Sequence, residues 1–156
     1  MTTSKRRKKN SQTKTGDKEN NMKTREEYAK IASGYYDSGY NCCQAVVLAY
    51  SDVLEIEKDV LLKMSSSFGG GMGKMGEVCG AVSGMFIVLG LLEGNTDPKN
   101  AEGKMKHYAN VRVLAEEFKS KNAHLRCMDL LADGNKKKCA NLVSECAEIL
   151  FDYINK

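Results

Sequence analysis

Thiols are the most reactive groups in this sequence, and there are six, at Cys42, Cys43, Cys79, Cys127, Cys139 and Cys146. A cysteine thiolate is a metal ligand and a nucleophile, and neighbouring charge governs how easily it forms. No Cys-x-x-Cys pair exists; the nearest regularity is Cys127 to Cys139, twelve residues apart. Local chelate spacing marks zinc ribbons and ferredoxin-type clusters. A shared site here must therefore be assembled from distant segments. In a reducing compartment six cysteines suit metal binding or catalysis better than a fixed disulfide framework. The opposing reading is that cysteines are small apolar residues, often simply buried.

The elements that must position these thiols read almost entirely as helix, with one proline and little strand-like alternation. Thr24-Arg25-Glu26-Glu27 is a capping-box start for a helix carrying Tyr28, Ile31 and Tyr35, ended by Gly39. Asn41, with Gln44 three residues on, caps a second helix through Ala45, Val46, Leu48 and Ala49. A short helix from about Asp59 holds Val60, Leu61 and Met64. A glycine-rich loop from Phe68 to Gly76 follows, then an apolar helix from about Glu77 to Leu92. Asp97-Pro98 predicts the start of a long helix with Met105, Tyr108, Val111, Ala115 and Phe118 on one apolar face. A short segment from Arg126 to Ala132, a turn at Asp133-Gly134-Asn135 and a final helix complete the chain. The expected fold is all-α: a compact bundle of about five to six helices with a glycine-rich loop. Residues 22–156 form its single domain, and residues 1–21 a disordered basic tail.

Four of these helix starts present a thiol. Cys42 follows the Asn41 cap, Cys79 follows Glu77, Cys127 opens its short segment, and Cys139 lies in the first turn of the last helix. A helix N-terminus offers unpaired N–H donors and partial positive charge, which favour thiolate and lower its pKa. Such donors also stabilise sulfur bound to a metal centre. Cys146 is two turns into the last helix among Leu142, Val143, Ile149 and Leu150, and reads as core packing. Cys43 points about 100° away from Cys42, so the two are not expected to bind one centre.

The basic balance is confined to one end. Residues 1–20 carry a net +5 against +4 for the whole chain, which leaves −1 for residues 21–156. The tail lacks aliphatic and aromatic residues beyond Met1, so it reads as solvated chain. It has no apolar stretch for export and no interleaved aromatics for stacking on bases. The longest apolar run, Val78 to Leu92, has fifteen residues, short of the ~20 that span a bilayer. A cytoplasmic protein with no membrane span is expected.

Together the residues resemble a family of redox-active proteins named for their C-GCAxxG-C-C cysteine pattern. The resemblance covers roughly residues 24–152. It rests on Asn41-Cys42-Cys43-Gln44-Ala45-Val46, Phe68-Gly69-Gly70-Gly71-Met72-Gly73, Gly76-Glu77-Val78-Cys79-Gly80-Ala81-Val82-Ser83-Gly84, then Cys127, and Cys139 followed by Leu142-Val143. The resemblance implies that Cys42, Cys79, Cys127 and Cys139 are the four cysteines of the pattern and hold an iron–sulfur or similar metal centre. Cys43 falls where relatives usually carry a small residue such as alanine, and Cys146 lies outside the pattern.

The glycine segment is not a phosphate loop: Phe68 falls at the first glycine position and Met75 replaces the metal-binding hydroxyl. Gly70, Gly71 and Gly73 are expected instead to bring bare backbone beside the cysteine centre, their N–H groups turned to sulfur or a bound anion. The alternative is a flexible connector. Gly80 is placed with them as cofactor-binding, although with Ala81 and Gly84 it also suits close helix packing. His124, three residues before Cys127, is a candidate ligand or proton relay, whereas His107 is expected to face solvent.

The expected function is redox: four thiolates binding an iron–sulfur cluster, [2Fe–2S] foremost, for electron transfer as an oxidoreductase or redox subunit. The alternatives are a metal-free thiol–disulfide protein and a structural zinc protein, since zinc accepts the same ligands. The expected partner is a redox protein, with a homodimer as a second association. Nucleic acid enters only through the basic tail.

Overall fold

The first two long helices begin where their capping chemistry places them. The structure, a computed structural model, describes residues 22–156; the expected tail, residues 1–21, lies outside the described residues. Helix α1 (Arg25–Asp37) is capped by Thr24, whose hydroxyl accepts from Glu27 N at 3.2 Å while Thr24 N–H donates to the Glu27 carboxylate at 2.7 Å. Helix α2 (Cys42–Ala49) repeats the device with Asn41 and Gln44, at 2.9 and 3.1 Å. Short α3 (Ser51–Leu54), α4 (Lys58–Ser65) and a 3₁₀ turn (Ser66–Phe68) lead into the glycine loop. Helices α5 (Gly80–Glu93), α6 (Ala101–Asn122), α7 (Cys127–Leu130) and α8 (Lys138–Ile154) complete the chain.

The described residues are helical with no named strand, as the all-α reading expects. Six helices have eight residues or more; α3 and α7 have four each.

Helix α2 is the centre of the bundle, packed against α1, α4, α5 and α8, and six of its eight residues are buried. Its closest neighbour is α5, and glycine explains the approach. A Cβ on Gly84 would lie 2.8 Å from Cys43 O and 3.0 Å from Val46 Cβ. On the other side, Tyr28 and Tyr50 stack with centroids 4.3 Å apart, and the buried Tyr50 hydroxyl donates to Ala147 O at 2.6 Å. Arg25 ties α1 to α8 through Glu148 at 3.2 Å and Asp152 at 2.9 Å.

Two expected helix boundaries move. Helix α6 starts at Ala101, capped by Asn100, whose Oδ1 accepts from Gly103 N at 2.9 Å. The Asp97 carboxylate instead accepts from Lys99 N at 2.9 Å, closing a local turn around Pro98. Helix α5 starts at Gly80, because residues 77–79 are held extended against the segment before α7. The expected apolar face of α6 is also only half used. Leu114, Ala115 and Phe118 are buried against the bundle, while Met105 and Tyr108 remain 54% and 49% exposed.

Candidate four-cysteine centre

Cys42 occupies the first helical position of α2, fixed by the Asn41–Gln44 cap, and Asn41 is itself anchored by donating Nδ2 to Ser66 O at 3.1 Å. The adjacent Cys43 turns into the core with no exposed surface and does not line the cavity with Cys42; its angular offset predicted only that the two would not share a centre. A Cβ on Gly80 would collide with Cys42 Sγ and come within 2.8 Å of Phe68 O. Bare backbone at the start of α5 thus faces the Cys42 sulfur.

Cys79 and Cys127 are joined by backbone. Val78 and Arg126 form an antiparallel bridge, with Cys79 N–H donating to Leu125 O at 2.8 Å and Cys127 N–H to Glu77 O at 2.6 Å. The glycine loop buttresses this tie: Glu77 N–H donates to Gly71 O at 3.0 Å, and Met128 N–H to Gly76 O at 3.0 Å. A Cβ on Gly71 would meet Cys127 Cβ at 2.7 Å.

From Gly70 to Lys74 every residue has φ between +60° and +70°. Glycine takes this left-handed conformation freely, but at Met72 and Lys74 it costs about 1–2 kcal/mol each. Cys139 enters from the fourth side, in the first turn of α8, after the Asp133-Gly134-Asn135 turn. Asp133 stabilises that turn by accepting from Asn135 N and pairing with Lys138.

All four cysteines line one cavity of about 970 Å³, together with Tyr36, Lys74 and Lys136. None of the six cysteines is in a disulfide. Burial pushes the Cys79 thiol up to about 12, opposed by the N–H groups of Val82 and Ala81 facing its sulfur; these do not close a regular side-chain cap. Cys127 is also raised, by burial first and then by Cys139 and Cys42. Lowered thiol pKa values, expected at helix starts, are therefore overturned at these two positions. Loss of hydration outweighs the few available N–H donors when the thiols are free. The Cys127 helix has only four residues, which limits its dipole.

The Tyr36 phenol is raised to about 12 by burial and then by Cys139, toward whose sulfur it is directed; Cys42 adds to the shift. Sequence reasoning missed Tyr36. The available signal was its place on one helical stripe with the buried Tyr28 and Ala32. Lys74 and Lys136 were missed as well, because nothing local to either residue announces a cavity.

Of the expected glycines, Gly70 and Gly80 line the cavity, Gly71 packs behind Cys127, and Gly73 is exposed outside the lining. Cys146 is fully buried in the core, as expected. His124 is exposed and does not line the cavity. His107, expected to face solvent, is instead partly buried near Gly90; its Nδ1 is shielded without a hydrogen-bond partner among the described residues. Among the described residues, no group of three or more His, Cys, Asp or Glu side chains is arranged so that it could hold a single metal ion. Nor is any described helix long and apolar enough to cross a membrane.

Residues 40–153 match a family model described as "Putative redox-active protein (C_GCAxxG_C_C)". Searches of curated proteins and of solved structures return no match. Because the matched region takes in most of the chain and all four cavity thiols, this protein belongs to the C_GCAxxG_C_C family.

Proposed function

We propose that Cys42, Cys79, Cys127 and Cys139 hold an iron–sulfur cluster, [2Fe–2S] foremost, and that the protein transfers electrons through it. The observation that carries this reading is the convergence of four thiols from four separate segments on one cavity. A cluster bound there supplies one-electron chemistry. Zinc accepts the same four thiolates and is the alternative occupant.

The chain's own residues have defined tasks around such a group. Gly80 and Gly71 keep side-chain atoms away from Cys42 and Cys127. The Ala81 and Val82 N–H groups and the Tyr36 phenol direct positive dipole toward sulfur, which offsets concentrated negative charge and tunes potential.

Anaerobic purification followed by visible spectroscopy and by iron, zinc and acid-labile sulfide analysis tests the proposal. The expected result is a coloured protein containing iron and sulfide, lost when Cys42, Cys79, Cys127 and Cys139 are each replaced by alanine. Stoichiometric zinc without sulfide would turn the site into a structural one. A metal-free protein that reversibly loses thiols in pairs on oxidation would make it a dithiol centre.

A further inference from the structure

Cys127 and Cys139 bound a short segment that returns to the cavity at both ends. They are twelve residues apart, and the Asp133-Gly134-Asn135 turn reverses the chain between them, with Gly134 at φ +74°. The segment is tied loosely to the bundle. Helix α7 has no buried residue, and residues 132–137 are all exposed. The hydrogen-bonded backbone N–H groups of residues 129–138 all find their acceptors within residues 126–135. Leu130 is the side chain that packs against the core. A segment with so few buried contacts opens locally at little cost, which gives Cys139 freedom to approach Cys127.

The other pairings are held apart. Across the Val78–Arg126 bridge, Cys79 is opposite Leu125 and Cys127 is opposite Glu77, so the two cysteines stand on a diagonal. Diagonal neighbours in such a ladder have Cα atoms about 7–8 Å apart, beyond the ~4.4–6.8 Å of a disulfide. Cys79 is also buried, at 6% exposure, whereas Cys42, Cys127 and Cys139 are half-buried. Cys42 is fixed by the Asn41–Gln44 cap on α2, the centre of the bundle, and moving it means moving that helix. Cys139 bears more strongly on the ionisation of Cys127 than Cys42 does, and the Tyr36 hydroxyl, directed at Cys139, keeps that sulfur on the cavity side.

We infer that Cys127 and Cys139 are a dithiol pair, which closes to a disulfide when the metal-free protein meets a disulfide oxidant such as oxidised glutathione. One cysteine thiolate attacks the oxidant and forms a mixed disulfide, releasing one reduced glutathione. The second cysteine thiolate attacks the first cysteine's sulfur and displaces the other. One protein S–S bond forms, the oxidant's S–S bond is broken, and the two thiol protons end on two glutathione thiols. The pairing stands on the free thiols themselves. Its consequence for the site, that iron enters only after this pair is reduced, rests on the cluster reading.

The test uses the full-length protein. Iron and sulfide are measured as purified, and any metal is then removed by chelation under reductant. Oxidised glutathione is added, remaining thiols are blocked with iodoacetamide, and peptides are mapped by mass spectrometry without reduction. The expected result is loss of two of the six thiols, a crosslink joining Cys127 to Cys139, and unchanged circular dichroism. Dithiothreitol should restore both thiols. Cys127→Ser and Cys139→Ser should each lose the crosslink and stop at the mixed disulfide, whereas Cys42→Ser should retain it. A first disulfide that contains any other cysteine, a crosslink that forms only in urea, or no crosslink at all overturns the inference. The wild-type map decides it even where a variant fails to fold. Protein free of iron and sulfide as purified would instead sink the cluster reading, and the map would still judge the disulfide.

Discussion

Replacing Gly80 with alanine sets two effects against each other, and the structure decides their order. Alanine is the better helix former, worth about 1 kcal/mol in a helix interior. Against this, the new methyl group collides with Cys42 Sγ and lies 2.8 Å from Phe68 O and 3.3 Å from Cys43 N. The sulfur can rotate, but the two backbone atoms cannot move without shifting α2 or the 3₁₀ turn. Overpacking of this kind costs about 1–3 kcal/mol, and first-turn residues gain little of the interior propensity. The expected net loss is about 2 kcal/mol, or about 6–10 °C in melting temperature for a domain of this size.

Gly34→Ala is the matched control. Gly34 is inside α1, and an added Cβ meets nothing within 4 Å. That variant should gain about 0.5–1 kcal/mol. Gly84→Ala, which meets Cys43 O and Val46 rather than Cys42, separates helix approach from sulfur placement. It should lose stability like Gly80→Ala, while Gly80→Ala alone should also change the alkylation rate of Cys42. Circular dichroism melts and mass-spectrometric alkylation kinetics read both quantities. A Gly80→Ala protein with unchanged melting temperature and unchanged Cys42 reactivity would refute the claim that bare backbone at the start of α5 fixes this sulfur.

Cys146→Ala should remove one buried heavy atom at a cost of about 1 kcal/mol, seen in denaturant unfolding, with iron and sulfide content unchanged. The reduced, metal-free protein should lose stability as pH rises from about 9 towards 12, followed by urea midpoints. Burial raises Cys79 from an ordinary 9.0 to about 12, and raises Cys43 and Cys146 in the same direction. The unfolded chain therefore releases these protons first, and a flat profile across that range would contradict the burial argument. Tyr36→Phe should lower the midpoint potential of the iron-loaded protein by about 40 mV, the one-electron equivalent of a hydrogen bond worth about 1 kcal/mol. Voltammetry reads that shift, and an unchanged potential would mean that the phenol does not act on Cys139.

How much of this was legible depends on how local the determining chemistry is. Thr24 with Glu27 and Asn41 with Gln44 are three residues apart, so sequence alone located the starts of α1 and α2. Asp97 misled because its carboxylate satisfies Lys99 N–H as well as it could a helix start, and Asn100 offered a competing cap. The start of α5 was hidden for another reason: residues 77–79 take their backbone partners from residues 125–127, beyond the reach of any local rule. The burial of Cys146 followed from helical phase and apolar neighbours, whereas for Cys43 phase indicated only a direction different from that of Cys42. Tyr36, Lys74 and Lys136 share a cavity only through tertiary packing, and no pattern along the chain links them.

The tie between the segments around Cys79 and Cys127 also bears on the order of events during synthesis. Its hydrogen bonds cannot form until residues 125–127 have been made, and Cys139 comes later still, 97 residues after Cys42. At about 5–20 residues per second, a ribosome needs about 5–20 s to cover that interval. Throughout it the early thiols lack their later partners. On the proposed iron–sulfur reading, a nascent chain should take up iron only after α8 emerges, and a disulfide formed earlier from Cys42 or Cys79 would remove a sulfur from the site.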